Sequence, residues 1–239
     1  KSVKGELDMQ ERYIRNLGPL TEEECLLLRQ RRVFLAGCGG LGGYLLEHLL
    51  RAGVGAITVC DGDTIVPSNL NRQLLADMES LGRSKTEAAC ARAALVNPEA
   101  AVEARPVFLT ADNALGLIAG HDLALDALDS PAARRILASA CRQAGIPLVH
   151  GAIRGWYAQA AVILPDSGMM EQLYPADAPA APDQGSLSPT VGLCAAIQAG
   201  EAVKLLCGRP SPLAGRLLWV DLVEQEYQVV SFCPEGPPR

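Results

Sequence analysis

Read for the spacing of apolar and polar positions, the chain alternates between two periods. "RRVFLAGCGG" is an apolar run closed by glycines and predicts a buried strand. "LGGYLLEHLLRAG" then puts Leu45, Leu46, Leu49 and Leu50 on one face of a helix that Gly53 ends. "AITVCD" predicts a second strand. A helix is expected from Ser84, where Ser84 and Glu87 have capping-box spacing, to a stop at Asn97 and Pro98. Strand "AVEARPV", a helix from Asp112, strand "DLALDAL", helix "SPAARRILASACRQAG" and strand "IPLVHGAI" continue the series. In that last helix Ser130 is the expected cap, Pro131 the first turn and Gly145 the end. Such alternation implies right-handed crossovers and an α/β class: a Rossmann-like, doubly wound, mainly parallel sheet with helices on both faces.

The two ends depart from this rhythm. The first thirty residues read as helical, with Thr21 and Glu24 spaced as a capping box. After strand "WYAQAAVILP", the stretch Asp166 to Pro189 is rich in Pro, Ala, Gly and Asp and has no sustained period. It predicts a long flexible loop, because unstructured connections beyond about 12–15 residues are usually functional or mobile. An apolar helix near Thr190 to Cys207 and strands "RLLWVDL" and "EYQVVSF" follow, the latter expected as additional C-terminal antiparallel strands. The 239 residues read as a single domain, with N-terminal helices over 1–30, a core over 31–164, a crossover loop over 165–189 and a C-terminal helix and strands over 190–239.

Composition narrows the chemistry. A formal charge of -6 argues against general nucleic-acid binding, which clustered Lys and Arg supply. No apolar stretch approaches the roughly 20 residues of a bilayer span, and "KSVKGELDMQER" lacks the apolar centre of a signal peptide. A cytoplasmic enzyme without a membrane partner is the expectation. The eight cysteines form no C-x-x-C pair, so they read as reduced, buried thiols, and no zinc is expected.

Gly37, Gly39, Gly40 and Gly42 fall where the first strand turns into its helix, which lets backbone approach a ligand and lets the helix N-terminus attract phosphate. A dinucleotide site, or a turn that merely packs helix on strand, has the same pattern. Asp61, at the end of the second strand, suits ribose hydroxyls in either nucleotide class. The next segment discriminates. "DGDTIVPSNLNRQLL" gathers Asp63, Asn69, Arg72 and Gln73 in one polar loop, and "GRSK" adds Lys85 at a helix start. A triphosphate benefits from two added cations, whereas in an NAD-dependent oxidoreductase Arg72 and Lys85 have no task. A non-catalytic nucleotide-binding interaction module is the remaining alternative.

Taken in order, GCGGLG, D-G-D, S-N-L-N-R-Q, G-R-S-K and A-L-D-S strongly resemble the ubiquitin-activating-enzyme-like (ThiF/MoeB/HesA) adenylyltransferases, from Arg12 into the final strands. The resemblance implies ATP-dependent activation of a carboxylate, most often the C-terminal Gly-Gly of a small ubiquitin-like sulfur-carrier protein, with release of pyrophosphate. It implies that the glycine turn cradles phosphate, that Asp61 holds ribose, and that Asn69, Arg72, Gln73 and Lys85 contact nucleotide. Asp63, Ser68 and Ser130 lie in the same motifs and join the nucleotide-binding set. Asp129 is implied as the magnesium ligand; one carboxylate plus ATP oxygens and waters is an ordinary magnesium site. Arg12 and Arg15 match the family's N-terminal arginines, and Arg15 is implied as a finger reaching a partner's site in a homodimer. Arg15, Arg72, Lys85 and Asp129 are thus the expected catalytic residues.

The sequence also departs from that pattern. Zinc-binding relatives carry C-x-x-C pairs near "SGMMEQLYP" and near the C-terminus, where this chain has Met169 and Met170 and a lone Cys233. No cysteine occurs from Asp166 to Pro189, the region of the transfer cysteine in many relatives, so the expected product is an acyl-adenylate handed to a separate nucleophile. Cys194 reads as a buried packing residue. Arg154 and Trp156 are expected to line the channel for the carrier tail.

Overall fold

The computed structural model describes residues 11–178 and 184–232. The strands are β1 (Arg32–Ala36), β2 (Ala56–Cys60), β3 (Ala101–Arg105), β4 (Leu123–Asp126), β5 (Leu148–Arg154), β6 (Tyr157–Ile163), β7 (Arg216–Asp221) and β8 (Glu226–Ser231). They form one sheet in the order β3-β2-β1-β4-β5-β6-β7-β8. The strands from β3 to β5 in that order are parallel, and β6, β7 and β8 are antiparallel, as expected for the C-terminal part.

Because successive strand residues point to opposite faces, each central strand feeds two cores. Val33, Leu35, Ile57, Val59, Leu123 and Leu125 pack under α2 (Gly40–Ala52), α3 (Lys85–Val96) and α7 (Ser188–Leu206), with α1 (Glu22–Leu28) closing one end. Phe34, Ala36, Ala124 and Leu148 pack on the other face, under α4 (Ala114–Ile118), α5 (Pro131–Ala144) and α6 (Met169–Leu173). The leucine face read from sequence is the contact surface of α2: Leu45, Leu46, Leu49 and Leu50 are all buried. Each contributes about 1.5–3 kcal/mol by leaving water. Gly53 ends α2 in the left-handed conformation, and Gly145 ends α5 the same way.

Local signals fared unequally. The Thr21–Glu24 box forms in both directions, with the Thr21 hydroxyl accepting from the Glu24 N–H at 3.2 Å and Glu24 accepting from the Thr21 N–H at 2.8 Å. The Ser84–Glu87 box does not form. Ser84 precedes α3 but makes no side-chain cap; its hydroxyl bonds that of Thr86 at 2.9 Å while its backbone bridges Thr64. The stretch 166–189 is not a plain loop either, because it opens with α6, whose Met169 and Met170 are buried in the second core. Residues 179–183 of that stretch, Cys233 and residues 1–10 lie outside the described residues. No described helix is long and apolar enough to cross a membrane.

Candidate functional site

Strand order reverses at β1, which has β2 on one side and β4 on the other. Crossovers leave this point toward opposite faces, so a crevice opens beyond the carboxyl ends of the two strands. A cleft of about 1280 Å³ lies there. Its walls are the turn after β1, the end of β2, the segment leading to Gln73, the start of α3, the turn after β4 and the β5–β6 hairpin.

At two of its glycines the turn under the cleft admits no side chain. Gly37 has φ +97°, and a Cβ there would lie 2.6 Å from the Ala127 carbonyl oxygen; a Cβ on Gly42 would lie 2.0 Å from that of Gly37. Gly39 and Gly40 line the cleft where α2 begins, and Gly39 caps α2 with no side-chain hydrogen bond. The first N–H groups of α2 therefore remain available to an anion. Gly42 does not line the cleft; it serves the turn from behind.

Asp61 ties two turns together. One carboxylate oxygen accepts from the Cys38 N–H at 2.8 Å and the other from the Asp63 N–H at 2.9 Å. Lys85 is buried, with Nζ 2.8 Å from Asp63 and 3.9 Å from Asp61. Asn69 is buried and accepts from the Val66 N–H at 3.1 Å, which braces the short turn at Pro67–Asn69. Arg72 lines the cleft, held by the Ser68 carbonyl at 2.9 Å and by Asn71 at 2.8 Å. Ser68 thus takes part through its backbone, and its side chain is not on the cleft wall. The buried Gln73 Oε1 has no hydrogen-bond partner among the described residues. An orphaned acceptor on the wall of a polar cleft suits a ligand's donor.

Asp129 is exposed on the opposite wall, and its carboxylate has no hydrogen-bond or ion-pair partner among the described residues. The cap of α5 is made by Ser130, which accepts from the Ala133 N–H at 3.3 Å, so Asp129 is free of that task. Asp126 lies inside β4, fully buried. No three His, Cys, Asp or Glu side chains gather as a metal cluster among the described residues.

The structure also separates residues that the sequence grouped. Arg15 is outside the cleft, on a shallow groove with Asn16, His48, Ala199, Gly200 and Val203. Arg12 donates to Asn97 of its own chain at 2.7 Å. Arg154 does line the cleft, with a buried Nε that has no partner among the described residues. Trp156 does not: it is 48% exposed in the β5–β6 turn, and Trp219 instead stacks on Tyr157 at 5.7 Å within the wall. Cys194 is buried and its thiol is pushed up to about 12 by burial, while burial also raises Cys38. Neither offers the thiolate that nucleophilic chemistry needs.

Sequence reasoning missed Arg134, His150, Gln159 and Tyr174, which form a polar chain; Arg134, Gln159 and Tyr174 line the cleft and His150 is buried beneath them. A histidine in the otherwise apolar "LVHGAI" was the one available signal.

Known proteins resemble this chain along most of its length. Residues 12–237 match the model of the ThiF family. The chain is 36% identical over 211 residues to the SAMP-activating enzyme E1 of Haloferax volcanii, covering 86% of this chain and 78% of that protein. It is 35% identical over 239 residues to the sulfur carrier protein adenylyltransferase of Thermus thermophilus, covering 95% of this chain and 87% of that protein. Among solved structures it superposes on E. coli MccB determined with ATP, with a TM-score of 0.80 at 20% identity, covering 96% of this chain and 74% of that one. That last likeness is one of fold.

Proposed function

This chain belongs to the ThiF family, and on that premise we propose that it is an ATP-dependent adenylyltransferase acting on the C-terminal Gly-Gly of a ubiquitin-like sulfur-carrier protein. One observation carries the reading: Arg72, Lys85 and an Asp129 with no partner among the described residues line one cleft around the glycine turn. Nucleotide phosphate needs close backbone approach, cations and a metal carboxylate, and all three converge on this cleft.

In this reading the carrier carboxylate attacks the α-phosphorus of ATP. An acyl oxygen–phosphorus bond forms, the bond to the bridging oxygen breaks, and pyrophosphate leaves with that electron pair. Such a displacement is governed by positioning and by charge stabilisation, so no protein nucleophile is required. The glycine turn and the start of α2 hold phosphate, and Asp61 meets the ribose. Arg72 and Lys85 offset the charge that grows on pyrophosphate, with Asn69, Gln73 and Ser130 completing the walls. Asp129, without a partner among the described residues, fits magnesium, which when bound supplies positive charge to the phosphate oxygens. Arg15, exposed and outside its own cleft, is suited to reach the cleft of a second copy in a homodimer. Arg154 takes the incoming tail. With Cys38, Cys60 and Cys194 all buried, the acyl-adenylate passes to an external sulfur donor.

The test is carrier-dependent exchange of labelled pyrophosphate into ATP, with magnesium and a panel of small proteins ending in Gly-Gly. Exchange with one carrier is the expected result. ATP binding without exchange for any of them would sink the carrier reading and favour a module that keeps the nucleotide without the reaction.

A further inference from the structure

Beside Asp129 a polar chain runs from the buried Asp126 and His150 to Arg134, Gln159 and Tyr174 on the cleft wall, and the roles proposed above leave it unused. Asp126 Oδ2 accepts from His150 Nδ1 at 2.7 Å, and its Oδ1 accepts from the Leu128 N–H at 3.0 Å. On the other side of Leu128, Arg134 donates to the carbonyl from Nη2 at 2.6 Å and from Nε at 3.3 Å. With Nδ1–H committed to Asp126, His150 Nε2 is an acceptor, and the Tyr174 hydroxyl reaches it at 3.3 Å. The phenol oxygen in turn accepts from Arg134 Nη1 and from Gln159 Nε2, both at 2.6 Å. The guanidinium also lies 5.0 Å from the centre of the Tyr174 ring. Both backbone hydrogen-bonding groups of Leu128 are thus fixed, and the guanidinium that fixes one of them is aimed by a phenol.

We infer that Arg134 and Tyr174 are positioning residues for Asp129, setting where its carboxylate stands in the cleft by clamping the residue before it. A side chain with no anchor of its own takes its place from its backbone, and here that backbone is held by a fully satisfied network. Tyr174 directly follows α6, so the docking of that helix is transmitted to the nucleotide wall. The functional half of the inference rests on Asp129 being the magnesium ligand of the proposed adenylation.

Tyr174→Phe keeps the ring against His150 and removes only the oxygen. The Leu128 amide should then exchange with deuterium roughly tenfold faster while the Leu123–Leu125 amides keep wild-type rates. The magnesium concentration for half-maximal pyrophosphate exchange should rise several-fold, with the ATP KM at saturating magnesium held within about twofold. Arg134→Lys, which keeps the charge and loses the fork, should reproduce both shifts and serves if the phenylalanine variant does not fold. Unchanged Leu128 exchange overturns the inference, and so does a uniform loss of protection throughout β4, which is the signature of a merely structural role. If the wild-type protein adenylates nothing, the proposed function fails, while the hydrogen-exchange arm still decides whether the clamp exists.

Discussion

Gly42 and Gly37 show how much chemistry rests on missing atoms. A methyl at Gly42 would sit 2.0 Å from the Gly37 oxygen, so Gly42→Ala must displace the turn that forms the cleft floor. We expect a loss of about 1–3 kcal/mol in urea unfolding together with weakened ATP binding in calorimetry. The charged wall residues should behave differently. Arg72→Ala, Lys85→Ala and Asp129→Ala should each lower pyrophosphate exchange by about 10²-fold or more, because each removes a charge placed where charge develops. Arg72→Ala and Asp129→Ala should keep melting temperatures near wild type, whereas Lys85→Ala, which strips Asp61 of its buried cation, should also lower it; near-normal exchange in all three would refute the mechanism. These residues were legible because they sit in short, ordered motifs. Asp126, His150 and Tyr174 were not, because three distant segments make one network only after β4, β5 and α6 have docked.

Helix termini separate spacing from structure. Thr21→Ala should cost about 1 kcal/mol, since a reciprocal cap is lost. Ser84→Ala should stay within about 0.5 kcal/mol despite its identical spacing to a glutamate, since that hydroxyl caps nothing. Denaturant midpoints of the two variants decide the matter, and equal losses would contradict the structure. Sequence alone could not distinguish them: the Ser84 backbone is claimed by Thr64, a residue on another turn. The five-residue α6 escaped notice for a different reason, being too short to display a period. Met169 and Met170 carry its docking, and its ion pair from Glu171 to Arg142 is exposed on both sides. Met169→Ala should therefore cost about 2–5 kcal/mol, and Glu171→Ala less than about 1 kcal/mol.

At the scale of the whole molecule, the strand–helix alternation and the sheet covered on both faces followed from periodicity, whereas the strand order did not, and the role proposed for Arg15 involves a second molecule that one chain's pattern does not contain. Mixing Arg15→Ala with Asp129→Ala subunits tests that placement: a finger acting in trans should restore roughly a quarter of wild-type activity, because half the dimers are mixed and each holds one intact site. No recovery would confine Arg15 to its own chain. Acid response is also a property of the whole fold, since burial lowers the pKa of His48, His121 and His150 below the ordinary 6.5. The unfolded chain then binds more protons near pH 6, so the stability from keeping these rings neutral is full above about 6.5 and is lost as pH falls toward their folded values. Urea midpoints that stay flat from pH 8 to pH 5 would contradict this. The reversal of strand order at β1 reaches further than geometry. The cleft it opens is lined by residues from Gly37 to Trp219, so no short contiguous fragment of the chain contains it. A ligand of this cleft recognises only the completed fold, and each tenfold rise in its concentration above Kd should add about 1.4 kcal/mol to the unfolding free energy. Saturation by nucleotide would then act as a molecular proofreader, sheltering finished chains and leaving incomplete ones to proteolysis.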